Sequence, residues 1–156
     1  GDAKVYVRHI ATAAFEHKSR FELGKAEVLK DGDEIGILTY GLLARECFAA
    51  AEALEEQGRS VRLVHLASLK PIDEAAIFET LSRCKVTFTI EDHFLTGGLF
   101  SIVAELCAKK GKAVGRLVPF ALEERWFLPT LLPNVLEHEG FSASKLTERI
   151  IRTLES

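Results

Sequence analysis

The chain predicts an α/β fold: a three-layer α/β/α sandwich around a mostly parallel sheet of about five strands, with one antiparallel edge strand. Three observations carry this reading. Short apolar runs at 34–38, 61–66, 86–90 and 114–118 alternate with longer runs of helical period. Strands separated by helices of about 10 to 15 residues need crossovers, and crossovers give parallel neighbours. At 25–29 an extended segment precedes the turn Lys30-Asp31-Gly32-Asp33, whose Asp-Gly pair suits a hairpin to the strand at 34–38 and so an antiparallel edge. Finally, 156 residues fit one domain that buries roughly two-thirds of its unfolded surface.

Each element has its own signals. Thr39-Tyr40-Gly41 breaks the strand at 34–38, and a helix over 43–57 carries Ala44, Cys47, Phe48, Ala51 and Leu54 on one face before Gly58, a suitable C′ residue. After the strand at 61–66, Pro71 ends the connection and Asp73 caps a helix running to about Arg83. Ile72 and Ile77 have the spacing of a hydrophobic staple. The strand at 86–90 leads into Glu91-Asp92-His93, a glycine pair, and a helix from Leu99 to Lys110 with stripe Leu99, Ile102, Val103, Leu106 and Cys107. Lys109 and Lys110 suit its negative C-terminal end. The strand at 114–118 stops before Pro119. Residues 120–140 read as irregular, with a short helix at 129–138, and Ser142 caps a C-terminal helix with Phe141 and Leu146 at staple spacing.

Composition excludes several classes. A formal charge of −3 and a pI near 6.0 do not make the basic footprint of a nucleic-acid binder. No run of some 18 apolar residues marks a membrane span, and the opening Gly1-Asp2-Ala3-Lys4 does not read as a signal peptide. Cys47, Cys84 and Cys107 are odd in number and widely spaced. They read as buried free thiols in a reducing compartment, so a cytoplasmic location is expected. No close ligand pair suggests zinc.

The chemistry-bearing stretch is Val86 to Gly98. Ligands and partners meet open parallel sheets at the carboxyl ends of strands, where Glu91, Asp92 and His93 are expected to sit as a surface turn, with Gly97 and Gly98 opening the next helix. A histidine beside two carboxylates can exchange protons near neutral pH; equally, the three residues are a polar turn capping a helix. Lys70-Pro71-Ile72-Asp73 is either a rigid contact loop or a helix start. The first crossover has one glycine and no G-x-G-x-x-G, no P-loop lysine motif occurs, and no serine lies in G-x-S-x-G. No catalytic residue is assigned within the chain.

Read together, several segments resemble the C-terminal domain of the transketolase family: Phe21-Glu-Leu-Gly-Lys-Ala26 before the Leu-Lys-Asp-Gly-Asp turn, the Thr39-Tyr40-Gly41 bend, the alanine-rich helix ending Glu56-Gln57-Gly58, Leu69-Lys70-Pro71-Ile72-Asp73, Glu91-Asp92-His93 with Gly97-Gly98, and Phe141-Ser142-Ala143. The resemblance covers about 21–155. It implies that 21–156 form such a domain and that 1–20 are a remnant of a preceding pyrimidine-binding domain and linker. Arg8 there would reach substrate in the parent enzyme, although Ala11 stands where many relatives carry a second basic residue. The parent would be a thiamine-diphosphate- and magnesium-dependent enzyme transferring a two-carbon ketol unit between sugar phosphates. A deoxyxylulose-phosphate synthase and a 2-oxoacid dehydrogenase beta subunit are the alternatives. This domain would hold no cofactor itself. It would serve assembly with the pyrimidine-binding domain and a second subunit, in a homodimer or heterotetramer, through Glu91, Asp92, His93, Gly97, Gly98, Lys70, Pro71 and Asp73. If residues 1–18 belong to the neighbouring domain, deleting them lowers the melting temperature only slightly; a loss of several kcal/mol would make them integral to this fold.

Overall fold

A computed structural model describes residues 21–111, 115–127 and 130–156. The expected strand at Val5–Val7, Arg8 and the whole 1–20 remnant lie outside the described residues, as does position 114.

The strands are β1 (Ala26–Lys30), β2 (Ile35–Thr39), β3 (Val61–Leu66), β4 (Val86–Phe94) and β5 (Arg116–Leu122). The helices are α1 (Ala44–Glu56), α2 (Glu74–Arg83), α3 (Leu99–Lys110), α4 (Leu132–His138) and α5 (Ala143–Leu154), with a 3-10 turn at Gly41–Leu43. The sheet order is β1-β3-β2-β4-β5. Only the β1–β3 pair is antiparallel, so the α/β/α architecture and its antiparallel edge hold.

The two faces follow from strand alternation. Ile35, Ile37, Val61, Leu63, Val86, Phe88 and Ile90 pack against α1 and α5 through Cys47, Ala51, Leu54, Leu146 and Ile150. Leu38, Val64 and Leu66 pack on the other face against Ile77 and Leu81 of α2 and Leu99 and Val103 of α3. Both staples form: Ile77 is buried and Ile72 packs against its cluster, and Phe141 and Leu146 are buried together. Cys47, Cys84 and Cys107 are buried free thiols, and burial pushes the Cys47 thiol up to about 12.

Four expectations need correction. First, β1 does not form a hairpin with β2; it pairs with β3, Ala26 opposite Leu66. Gly32 is required, but for close approach: a Cβ there would lie 2.5 Å from the Val61 nitrogen. The connection therefore crosses the start of β3, and Asp31 is taken by Arg62, which is 2% exposed. Arg62 also meets Glu79 at 3.1 Å and Thr80 Oγ1 at 3.2 Å, while Arg83 holds Asp31 at 3.0 Å. Second, Pro119 lies inside β5, pairing with Thr89, which an edge strand tolerates because its outer N–H groups need no partner strand. Third, α4 begins at Leu132 instead of 129. Fourth, Ser142 makes no cap bond with its hydroxyl, which donates to Glu137. Glu46 of α1 accepts from the Ala143 N–H at 2.9 Å instead.

One buried polar atom among the described residues, Thr89 Oγ1, has no hydrogen-bond partner. Replacing it by an isosteric methyl relieves the desolvation of an unpaired hydroxyl. Thr89→Val is expected to stabilise the domain by about 1 kcal/mol, measured by urea unfolding; destabilisation would show that the hydroxyl is satisfied.

Candidate functional site at the carboxyl end of the sheet

Alternation along β4 sends Val86, Phe88 and Ile90 to the α1/α5 face, so Glu91 falls on the α3 face. It is fully buried. This corrects the expectation that all three polar residues lie at the surface: Asp92 and His93 do, Glu91 does not. The α3 N-cap, Gly98, has no side chain to offer. Glu91 does the capping from the neighbouring strand, Oε2 accepting from the Leu99 N–H and Oε1 from the Phe100 N–H at 3.0 Å. A carboxylate at a helix N-terminus is favoured by the orphan N–H groups and the dipole. Gly98 is there because of it: a Cβ would sit 2.0 Å from Glu91 Oε2 and 2.8 Å from the Phe94 carbonyl oxygen. Gly97 serves the turn with φ +81, and its N–H donates to Ser101 Oγ at 2.9 Å.

Burial raises the Glu91 carboxyl above its ordinary value; the N–H groups of Phe100 and Leu99 and nearby His93 pull it back only in part. Tyr40, at the end of β2, is pushed up to about 12 by burial and then by the Glu91 and Asp92 charges. It therefore remains a protonated hydroxyl at neutral pH.

Asp92 and His93 are thrown outward by a bulge. Ile90 pairs with Phe120 and Phe94 with Leu122, so three residues of β4 stand against Ala121 alone. Such bulges end regular pairing and re-aim side chains. His93 Nδ1 lies 2.9 Å from the Phe94 carbonyl oxygen and donates to it, and its ring meets the Phe94 ring edge-on at 6.2 Å.

The other sequence candidates form a separate group. Lys70 and Pro71 are exposed, joined by a cis peptide bond. Ser68 Oγ accepts from the Gly24 N–H at 2.9 Å and donates to the Pro71 carbonyl at 2.7 Å. Asp73 caps α2 through the Ala76 N–H and ties in β1 through the Ala26 N–H, both at 3.1 Å. Burial alone would raise its carboxyl; the N–H groups of Ala26 and Ala76 and the charge of Lys25 outweigh this and hold it below the ordinary value. Arg8 lies outside the described residues.

Sequence reasoning missed three residues here. Phe127 stacks on Phe94 at 6.1 Å, Arg125 lies over the Phe127 ring at 5.2 Å, and Trp126 is 99% exposed. The signal was limited to an unplaced tryptophan in an aperiodic stretch. Among the described residues no group of three His, Cys, Asp or Glu side chains could hold a metal. Glu91 already fills the N-terminus of α3, so this end does not fit a magnesium diphosphate.

A family model, transketolase, C-terminal domain, matches residues 24–145. The chain belongs to that family. It is 31% identical over 140 residues to a 1-deoxy-D-xylulose-5-phosphate synthase of Dictyoglomus thermophilum, covering 90% of this chain and 22% of the relative. It is 30% identical over 141 residues to a transketolase C-terminal section of Methanocaldococcus jannaschii, covering 90% and 43%. A solved split-gene transketolase, described as an inactive beta4 tetramer, superposes with a TM-score of 0.76 at 30% identity, over 90% of this chain and 45% of that one. The chain thus spans less than half the length of these relatives. No described helix is long and apolar enough to cross a membrane.

Two outcomes test the α3 cap. Gly98→Ala is expected to cost about 1–3 kcal/mol, because Glu91 or the Phe94 backbone must move. The raised Glu91 carboxyl means the folded state favours its protonated form. That contribution is full below the ordinary value of 4.5 and is lost as pH rises through the folded one. Glu91→Gln should flatten this limb of the stability–pH profile; an unchanged profile would assign it to other groups.

Proposed function

We propose that this chain is the assembly domain of a thiamine-diphosphate-dependent enzyme of the transketolase type, whose parent transfers a two-carbon ketol unit between sugar phosphates. The observation that carries the reading is the division of labour at the end of β4. Glu91 is locked into the fold as a helix cap, while the bulge presents Asp92 and His93 to solvent beside half-exposed Phe94 and Leu95. An exposed carboxylate and an exposed imidazole beside exposed apolar side chains suit recognition of another surface, where polar and charged groups fix register and select partners. Lys70 and Pro71 form a second contact element, held out by the Ser68 and Asp73 bonds. Gly97 and Gly98 shape the turn between the end of β4 and α3.

In this reading residues 1–20 continue from a pyrimidine-binding domain, Arg8 reaches the substrate there, and thiamine diphosphate with magnesium is held by other parts of the enzyme. Partners are that domain and a second subunit, in a dimer or heterotetramer; the names of the split relatives, a C-terminal section and a beta4 tetramer, support a multi-chain assembly. The buried free thiols suit the cytoplasm. Similarity to a deoxyxylulose-phosphate synthase supports a second reading, the same domain in an enzyme of that branch.

In the whole enzyme, Asp92→Ala with His93→Ala is expected to weaken assembly about tenfold or more, a loss near 1.4 kcal/mol, with turnover of the assembled enzyme little changed. Sedimentation velocity and steady-state kinetics separate the two. Turnover lost by orders of magnitude with assembly intact would favour acid–base chemistry at this turn.

A further inference from the structure

The segment that follows β5 is tied down along its length, and the ties converge on His93. Phe94, the last residue of β4, pairs with Leu122, the last of β5. Just downstream the chain returns to the same place: the Phe127 ring stacks on the Phe94 ring, centroids 6.1 Å and planes 26° apart. Between these contacts the Arg125 N–H donates to the Glu123 carbonyl at 2.8 Å, closing a tight turn.

Arg125 fastens the segment. Its guanidinium pairs with Glu139, just past α4, whose side chain is only 6% exposed, and lies 5.2 Å from the Phe127 centroid. Glu123 lies 3.6 Å from Arg125 and also faces Arg149 of α5. Arg149 is itself held over the Phe120 ring at 4.0 Å and donates to the Gly140 carbonyl at 2.9 Å. A carboxylate as buried as Glu139 stays charged only with a partner, so this pair is not the loose kind found between exposed side chains. With Arg125 and Phe127 engaged on one side of the chain, Trp126 between them is sent to the other, 99% exposed.

The consequence falls on the imidazole. His93 Nδ1 donates to the Phe94 carbonyl at 2.9 Å, and its ring meets the Phe94 ring edge-on. A neutral imidazole carries one N–H, and the hydrogen bond of one nitrogen sets the role of the other. With the proton on Nδ1, Nε2 of this exposed side chain is left as an acceptor.

We propose that residues 123–127 are a strap, latched by Arg125 to Glu139, which holds Phe94 through Phe127 and so keeps His93 in its Nδ1–H form. Arg125 and Phe127 are then positioning residues for His93. A group that recognises the imidazole in this state must bring an N–H or O–H to Nε2. When the latch opens, the Phe94 carbonyl is released and the imidazole takes either form. The inference goes beyond the assembly reading and does not depend on it, because it concerns the chain by itself.

The test is read on this chain at a pH well above the ordinary imidazole range. Long-range proton–nitrogen correlation spectra report which nitrogen of His93 carries the proton, and His93→Gln assigns its signals among the 5 histidines. Trp126 is the chain's only tryptophan, so its fluorescence anisotropy reports the strap. The expected result is a majority of Nδ1–H with Trp126 restrained. Arg125→Ala and Phe127→Leu are each expected to turn Nδ1–H into the minority form and to lower the Trp126 anisotropy. Phe127→Tyr, which keeps the ring, leaves both readings as they were. Phe127→Leu strands no buried carboxylate, so it decides the matter if circular dichroism shows Arg125→Ala unfolded. A majority of Nε2–H in the unsubstituted chain overturns the proposal. So does an unchanged His93 in Phe127→Leu or in a folded Arg125→Ala, whether or not Trp126 loosens, and so does a shift in Phe127→Tyr as large as that in Phe127→Leu.

Discussion

Gly32 lies so close to the backbone of Val61 that any side chain there would collide with it, and this contact sets the order of the sheet. A connection that can cross the start of β3 carries the chain from β1 to β2 with β3 between them. β2 then sits centrally, all five of its residues buried between parallel neighbours. The same crossing brings Asp31 to Arg62, which is why an arginine is tolerated in the core: Asp31, Glu79 and the Thr80 hydroxyl meet its guanidinium. A buried charge of this kind is weak evidence for net stability but costs several kcal/mol if one partner is removed. The geometry of the crossing is thus enforced twice, by space at Gly32 and by charge at Arg62.

With β2, β3 and β4 parallel, their carboxyl ends come to one edge, and Glu91 decides what that edge becomes. Its carboxylate satisfies two donors of α3 that no local side chain could reach, because Gly98 occupies the cap position. Burial opposes its ionisation, and the helix N–H groups offset part of that cost. Fixing Glu91 inward leaves Asp92 and His93 no place in the regular ladder, so the strand bulges and both point to water. A structural need of α3 therefore produces the polar surface of the proposed contact.

Much of this was legible in the sequence, and the exceptions have identifiable causes. Helical period located α1, α2, α3 and α5 to within a residue or two, because each is amphipathic, and Gly58 and Asp73 punctuate α1 and α2 as read. The Asp31-Gly32 signal was real, but it announced a glycine without saying whether φ or space required it. The clustering of Glu91 with Asp92 suggested shared exposure, while strand alternation puts neighbours on opposite faces. Proline at 119 masked the continuation of the β5 pattern through Phe120 to Leu122. Glu46 capping α5 depends on a contact 97 positions apart in sequence, and the Phe94–Phe127 stack is equally non-local.

The two ends of the sheet differ in a way that bears on function. At the amino end, Arg62 and Arg83 meet Asp31 and Glu79, and Arg59 meets Glu34 at 2.9 Å. These six side chains are paired within the domain. At the carboxyl end lie Phe94, Leu95 and Trp126, and also Phe21 and Leu23, which precede the antiparallel β1 and so fall at the same edge; all five are exposed large apolar residues. A domain folded for itself alone would bury or disperse such residues. Phe94, Leu95 and Trp126 lie on the β4–β5 side, where Asp92 and His93 are also presented, and Phe21 and Leu23 lie across the sheet by β1; exposed apolar residues at this end are what the proposed assembly role requires.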